Sequence, residues 1–239
     1  MKKIVFTGGS GRFAQVFKRV KHKYKIVYPS KKQLDIEKYE KIIKFLEKFK
    51  PNYLIHCAAL SRPMKIHEEN ISKSILTNII GTSNIVRACN KKNIKLIYFS
   101  TNYVYPGIKG NYSEKDPVLP INNYAISKLG GECAVKLYKN SLILRLCMTE
   151  KPFVHKRAFK DVEMNFMFHE DLAKNLLKLI NKKGILNIGG KKQIVYKFAK
   201  KTNYKVKPIS AKKLLGKNFP LKQSMNVQKY LKILKGINF

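Results

Sequence analysis

Acidic residues are scarce in this chain: 14 Asp and Glu stand against 50 Lys and Arg in 239 residues, a formal charge of +36. Arginine is scarce as well. It occupies Arg12, Arg19, Arg62, Arg87, Arg145 and Arg157, and the remaining basic residues are lysines spread over almost every segment, with Ile, Asn, Tyr and Phe abundant among them. Surfaces that read nucleic acid favour arginine for its planar two-pronged donor. The scattered lysines match an A/T-rich coding bias better than a built phosphate-binding stripe, so no nucleic-acid partner is expected. So positive a field still draws anionic substrates and cofactors.

Cysteine is limited to Cys57, Cys89, Cys133 and Cys147. Their spacing has neither the close pairing of a zinc site nor the density of a disulfide scaffold, so no metal is expected and reduced thiols in the cytoplasm are. Cys57 reads as a small packed hydrophobe. Long apolar runs are missing too. None reaches the ~18 residues that a membrane helix needs, and the most apolar stretch, SLILRLCM, is interrupted by Arg145. At the start, two lysines lead into only Ile4, Val5 and Phe6 before glycines intervene, which is a strand and not a signal peptide. No membrane partner is expected, and the sequence shows no internal repeat or low-complexity linker.

What the chain does have is 44% hydrophobic residues, enough for a large core. Short apolar runs at 3–7, 25–28, 53–57, 96–100 and 142–146 read as buried strands. Helical patterns fill the gaps, at 11–20, at 38–49 with Ile42, Ile43, Leu46 and Phe49 on one stripe, at 72–90 and at 124–138. This alternation predicts an α/β fold, a Rossmann-like doubly wound parallel sheet. Beyond Leu146 the rhythm changes, to an irregular stretch, a helix over 170–180, the short strand ILNI and a lysine-rich tail. That tail keeps Ile194, Val195, Phe198, Leu214, Leu215, Leu231 and Leu234, so it is expected to pack. The reading divides the chain into a dinucleotide-binding domain at 1–146 and a small C-terminal substrate lobe at 147–239, interleaved with it.

The segment TGGSGRFA follows the first strand and opens the first helix, where a glycine turn can cradle a pyrophosphate. Gly8 permits the tight turn, Gly11 lets the backbone approach the phosphates, Arg12 and Phe13 complete the turn, and Ala14 takes the third position, where Ala is tolerated. After the second strand, where an NAD enzyme places a carboxylate, stand Tyr28, Pro29, Ser30, Lys31 and Lys32. Cations there suit a 2′-phosphate, so the cofactor reading is NADP or NAD with the balance toward NADP.

Tyr124 and Lys128 lie four residues apart, on one face of a helix. An ammonium beside a phenol lowers its pKa and makes it a usable proton donor. The same spacing occurs at Tyr28 and Lys32, Tyr105 and Lys109, and Tyr196 and Lys200, so context has to select among them, and Tyr124 is selected by the strand-end Ser-Thr before it together with the nucleotide turn that begins the chain.

In these segments the chain resembles the extended short-chain dehydrogenase/reductases, and within them the dTDP-4-dehydrorhamnose reductase group. The resemblance rests on TGGSGRFA, LDI at 34–36, HCAA at 56–59, NIIGTSNIVRAC from Asn78, the long block STNYVYPGIKGNYSEKDPVLPINNYAISKLGGE at 100–132, HEDLA from His169 and NIGG from Asn187. It implies a catalytic set of Thr101, Tyr124 and Lys128, with Lys128 also holding the nicotinamide ribose. It places Asp35 and Ile36 near the adenine, Ala58 and Ala59 close under the cofactor, and Asn78 as a brace. Each has a plainer explanation: a helix N-cap for Asp35, close packing for the alanines, a satisfied buried amide for Asn78. The implied activity is NAD(P)H-dependent reduction of a nucleotide-linked 4-keto-6-deoxy sugar; a homodimer is compatible with it.

Two features depart from the family. Asn102 stands where the STDYVF motif has aspartate, removing a charge near the sugar. The chain is also shorter than typical members between Arg145 and His169, where part of the sugar site is built. An epimerase of the same fold, or a non-catalytic NAD(P)-binding regulatory subunit, are therefore the rival readings.

Overall fold

A computed structural model describes residues 1–237. Strands β1 (Lys3–Thr7), β2 (Lys25–Val27), β3 (Tyr53–His56), β4 (Lys95–Thr101) and β5 (Ser141–Leu146) join an edge strand, Gly184–Ile188, in a six-stranded sheet ordered edge-β5-β4-β3-β1-β2. Every pairing in it is parallel. The strands read as unbroken apolar runs because helices cover both faces; all residues of β3, β4 and β5 are buried. Alternation still sorts the side chains. Ile4, Phe6, Ile55, Phe99, Leu142 and Leu144 face one core layer, and Val5, Leu54, Leu96, Tyr98 and Ile143 face the other.

Helix α1 (Arg12–Phe17) contributes Phe13 and Phe17 to the first layer. Helix α2 (Tyr39–Phe49) lays the expected stripe of Ile42, Ile43 and Leu46 on the second, and Lys50, in the left-handed region at φ 49°, ends it by donating to the Leu46 carbonyl. The short α3 (Ile66–Glu69) and α4 (Ile71–Ser74) lead into a π-helical segment, Ile75–Ile80, that continues as α5 (Gly81–Lys91). Helix α6 (Asn123–Lys136) is capped by the Asn122 side chain, which accepts from Ala125 N. It packs closely on the π segment: a Cβ at Gly131 would lie 2.7 Å from the Asn78 carbonyl oxygen and 2.6 Å from the Tyr98 hydroxyl.

After β5 the chain does two things. Helices α7 (His169–Asn175), α8 (Val195–Lys200), α9 (Ala211–Leu215) and α10 (Gln228–Leu234) appear in this stretch. Leu172 and Tyr230, with the edge strand's Leu186 and Ile188, extend the first core layer. Val104, Tyr105, Tyr112, Phe153, Val162, Val195 and Phe198 form a third cluster beside it. Short ladders frame that cluster, pairing 157–159 with 207–209 and 163–164 with 193–194.

The structure corrects several element boundaries. Helix α1 stops at Phe17, and the helix expected over 72–90 contains the π segment. Helix α7 gives way to a 3-10 turn at Leu176. In the tail Val195 and Phe198 are buried as expected, whereas Leu214, Leu215 and Leu231 are exposed. No helix among the described residues is long and apolar enough to cross a membrane.

Candidate active site

The strand order reverses between β1 and β3, and the crevice beyond the carboxyl ends of an open parallel sheet at that point is where such folds take ligands. Gly8 stands there at φ +76°, and a Cβ on it would lie 2.8 Å from the Ala58 nitrogen. Only glycine lets the turn lie this close to the end of β3. The turn closes with Gly11 N donating to the Gly8 carbonyl at 2.9 Å, and no side chain caps the start of α1, so its first amides stay available. Arg12 is exposed at the turn, while the Phe13 ring is buried against Phe99 and His169. Ala58 and Ala59 are half-buried beside the turn, and Ala58 N donates to Thr7 Oγ1. The small residues and free amides fit a dinucleotide pyrophosphate.

Past β2, Ser30 is exposed and donates to Gln33 Oε1, and Lys31 pairs with Glu37 at 3.3 Å. Glu37 also accepts from Thr77 Oγ1. Asp35 is buried and accepts from Glu37 N, which makes it part of the turn before α2; Lys38 is the N-cap position. Ile36 is buried against Gly81, and its carbonyl accepts from Asn84.

Thr101 ends β4, 5% exposed, and Tyr124 and Lys128 lie on the first turns of α6. Burial pushes the Tyr124 phenol up to about 12, while Arg62 and the nearby Thr101 hydroxyl pull the other way. Lys128 is pushed down to about 8 by burial, with Glu132 among the groups opposing that shift. The structure differs here from the sequence reading. Lys128 Nζ rests over the Tyr98 ring, 4.3 Å from its centroid, and no hydrogen bond among the described residues joins it to Tyr124. The cation that lowers the phenol in this state is Arg62. Beneath them, His56 is fully buried and joins Thr7 Oγ1 at 2.8 Å to Thr82 Oγ1 at 3.1 Å; burial, reinforced by Lys128, holds it neutral with a pKa near 3. Asn78 braces both sides: its side chain accepts from Leu60 N and donates to the Leu60 carbonyl and to Ser127 Oγ.

Three groups at the crevice were missed by sequence reasoning. Glu150 is held by two arginines, Arg12 at 2.8 Å and Arg62 at 3.0 Å; against the upward push of burial, a backbone hydrogen bond and these two cations draw its carboxyl down to about 2. His67 is buried with its ring centroid 5.2 Å from that of Tyr124; Nδ1 meets Ser74 Oγ and Nε2 meets no partner among the described residues. Glu132 is fully buried on α6, accepting from Ser100 Oγ at 2.8 Å and from Arg145, whose Nη1 also donates to Tyr105. A lone arginine in an apolar strand was itself the signal for a buried acid. Nothing in the sequence marked Glu150 or His67. Asn102, in the turn after Thr101, is buried with its amide nitrogen unpartnered among the described residues.

Residues 1–154 match the family model described as the RmlD substrate binding domain. The chain is 26% identical over 193 residues to a dTDP-4-dehydrorhamnose reductase of Aggregatibacter actinomycetemcomitans, a match covering 79% of this chain and 60% of that one. It is 27% identical over 143 residues to methionine adenosyltransferase 2 subunit beta of Rattus norvegicus, covering 56% and 42%. The chain thus spans less than two thirds of the length of either relative. Its fold superposes with a TM-score of 0.84 at 24% identity on a dTDP-4-dehydrorhamnose reductase from Bacillus anthracis solved with NADP, covering 100% and 93% of the two chains.

Proposed function

The chain belongs to the RmlD substrate-binding-domain family, and from that premise we propose that it is an NAD(P)H-dependent reductase of a nucleotide-linked 4-keto-6-deoxy sugar. One observation carries the reading: Thr101 closes a central strand at its carboxyl end, with its hydroxyl near enough to Tyr124 to lower the phenol's pKa, and Lys128 is buried one turn along α6. The Gly8 to Phe13 turn would hold the pyrophosphate, Ala58 and Ala59 the face beneath the nicotinamide, and Asp35 and Ile36 the adenine side. Ser30 and Lys31 would meet a 2′-phosphate, which supports NADP, as does the NADP complex of the Bacillus anthracis fold neighbour. Lys31 has to leave Glu37 to do so.

When bound, the reduced nicotinamide supplies hydride to the ketone carbon. Tyr124 supplies the proton. With its pKa near 12 the phenol is fully protonated at neutral pH, the state a donor to the carbonyl oxygen requires. Thr101 would orient that oxygen by a second hydrogen bond, stabilising the charge that develops on it. Lys128 would hold the ribose, and its charge would stabilise the phenolate left behind. The third cluster, built largely after residue 146, would form the sugar side of the crevice. Exposed Ile71, Ile75, Leu76 and Ile126, on the neighbouring α4, π segment and α6, would suit a homodimer contact.

The test is to follow NADPH or NADH loss and product mass with a panel of dTDP- and UDP-linked 4-keto sugars. Tyr124→Phe should keep cofactor affinity and lose turnover by at least about 100-fold; retained turnover overturns the mechanism. A second reading, a non-catalytic subunit, is favoured by the similarity to methionine adenosyltransferase 2 subunit beta. It predicts cofactor binding with no turnover across the whole panel.

A further inference from the structure

At the end of the sheet opposite the crevice, five strands begin around a pocket of about 330 Å³. It is lined by three lysines, Lys2, Lys95 and Lys183, by the Tyr53 hydroxyl and by four asparagines, with no carboxylate among them. Lysines are everywhere on this surface, but Lys95 is not on the surface. It opens β4, is 7% exposed, and its Nζ is closed to solvent with no hydrogen-bond partner among the described residues. The other deeply buried cations have partners: Arg145 has Glu132, and Lys128 has the Tyr98 ring. A desolvated ammonium with no counter-charge is costly, and the Lys183 ammonium nearby makes it more so; burial and that neighbour together hold Lys95 down to about 8.

The rest of the lining is already ordered for a ligand rich in acceptors. Lys2 Nζ donates to the Tyr53 hydroxyl at 3.2 Å, and that hydroxyl donates to Asn181 Oδ1 at 2.9 Å, so these polar atoms are tied to one another and Lys95 is left as a fixed, unspent donor. Lys183 is exposed on a flexible stem and free to turn inward. An excess of donors with no acceptor of negative charge matches a phosphate group, whose oxygens accept only.

We propose that this pocket is a second anion site, binding the phosphate group of a small molecule through Lys95, Lys183 and Lys2. The site is separate from the crevice and does not depend on the reading of the crevice as a reductase site. Free phosphate, a nucleoside diphosphate and a sugar phosphate share the chemistry that would be recognised.

Calorimetric titration at 0.15 M NaCl tests this, with inorganic phosphate, pyrophosphate, a nucleoside diphosphate and a sugar 1-phosphate each titrated into the wild-type chain, Lys95→Met and Lys183→Gln. Anion binding at the crevice is common to all three proteins, so the difference between them belongs to the pocket. Beyond any binding the three proteins share, the wild type should show a saturable site that weakens about tenfold or more in Lys95→Met and several-fold in Lys183→Gln. Binding at pH 8 should take up protons in the wild type and not in Lys95→Met. At 100 times the wild-type dissociation constant the ligand should raise the wild-type melting temperature by about 5 °C and that of Lys95→Met by about half as much or less. Without ligand, Lys95→Met should melt no lower than wild type, since it removes an unpaired buried charge. Tighter binding of one organic phosphate, or equal binding of all four, supports the site and identifies its source. Identical isotherms and melting gains in all three proteins overturn it, as does a wild type that responds to phosphate no more than to chloride.

Discussion

Glu150 sits where an incoming phosphate would be expected, between an arginine at the glycine turn and one beyond β3. It is ionised at any pH well above 2, so mild acid does not release its partners and only substitution does. Arg12 is half exposed, so the pairs contribute little stability. Glu150→Gln should therefore change the unfolding free energy by less than about 1 kcal/mol while tightening dinucleotide binding about two- to five-fold at low salt. Fluorescence titration at two ionic strengths checks it, and unchanged or weaker binding shows that the carboxylate does not compete. The same scale shows how little a spacing says alone. Tyr196 and Lys200 make the contact the four-residue spacing implies, Nζ donating to the hydroxyl at 3.3 Å on an exposed face of α8. Tyr124 and Lys128 share the spacing without the contact. What distinguished them in the sequence was the strand end at Ser100 and Thr101, and that is the part the structure brings beside Tyr124.

Helix α6 carries Tyr124 and Lys128, and it is fixed to the sheet from within by Glu132. Its carboxylate binds Ser100 on β4 and Arg145 on β5, and Arg145 reaches on to Tyr105 in the third cluster. Glu132→Gln keeps the shape but leaves Arg145 charged and unpaired in the interior, a loss of about 3–5 kcal/mol. The double variant Glu132→Leu with Arg145→Met should recover most of that loss, with urea midpoints as the measure. If the single variant costs less than about 1 kcal/mol, the pair does not anchor the helix. The strands were legible because a parallel sheet covered on both faces turns each one into a plain apolar run. The π segment was not, because the widened turn leaves the side-chain alphabet of a helix unchanged; its effect is to face Asn78 toward both Leu60 and Ser127. Glu132 and Arg145 lay on different elements, and no local pattern joins them.

Across the whole molecule, buried titratable groups give stability a definite pH profile. Lys95 and Lys128 are near 8 in the fold against 10.5 unfolded. Between those values the unfolded chain binds more protons, so stability rises with pH above 8, by on the order of 2 kcal/mol for each lysine by pH 10. Above pH 10 the sign reverses, because Tyr28, Tyr124 and Tyr230 hold their protons to about 12 while unfolded tyrosines ionise. On the acid side His56, near 3 against 6.5, withdraws stability as pH falls through that window. Urea midpoints from pH 4 to 11 should peak near pH 10; a maximum at neutral pH contradicts the burial of the two lysines. Strand β4 also works as a ruler. Lys95 and Thr101 are its two ends, about 20 Å apart at ~3.3 Å per residue, more than twice the Debye length of ~8 Å at physiological salt. In a cell, solvent-facing charge arriving at one end is therefore largely screened from solvent-facing charge at the other.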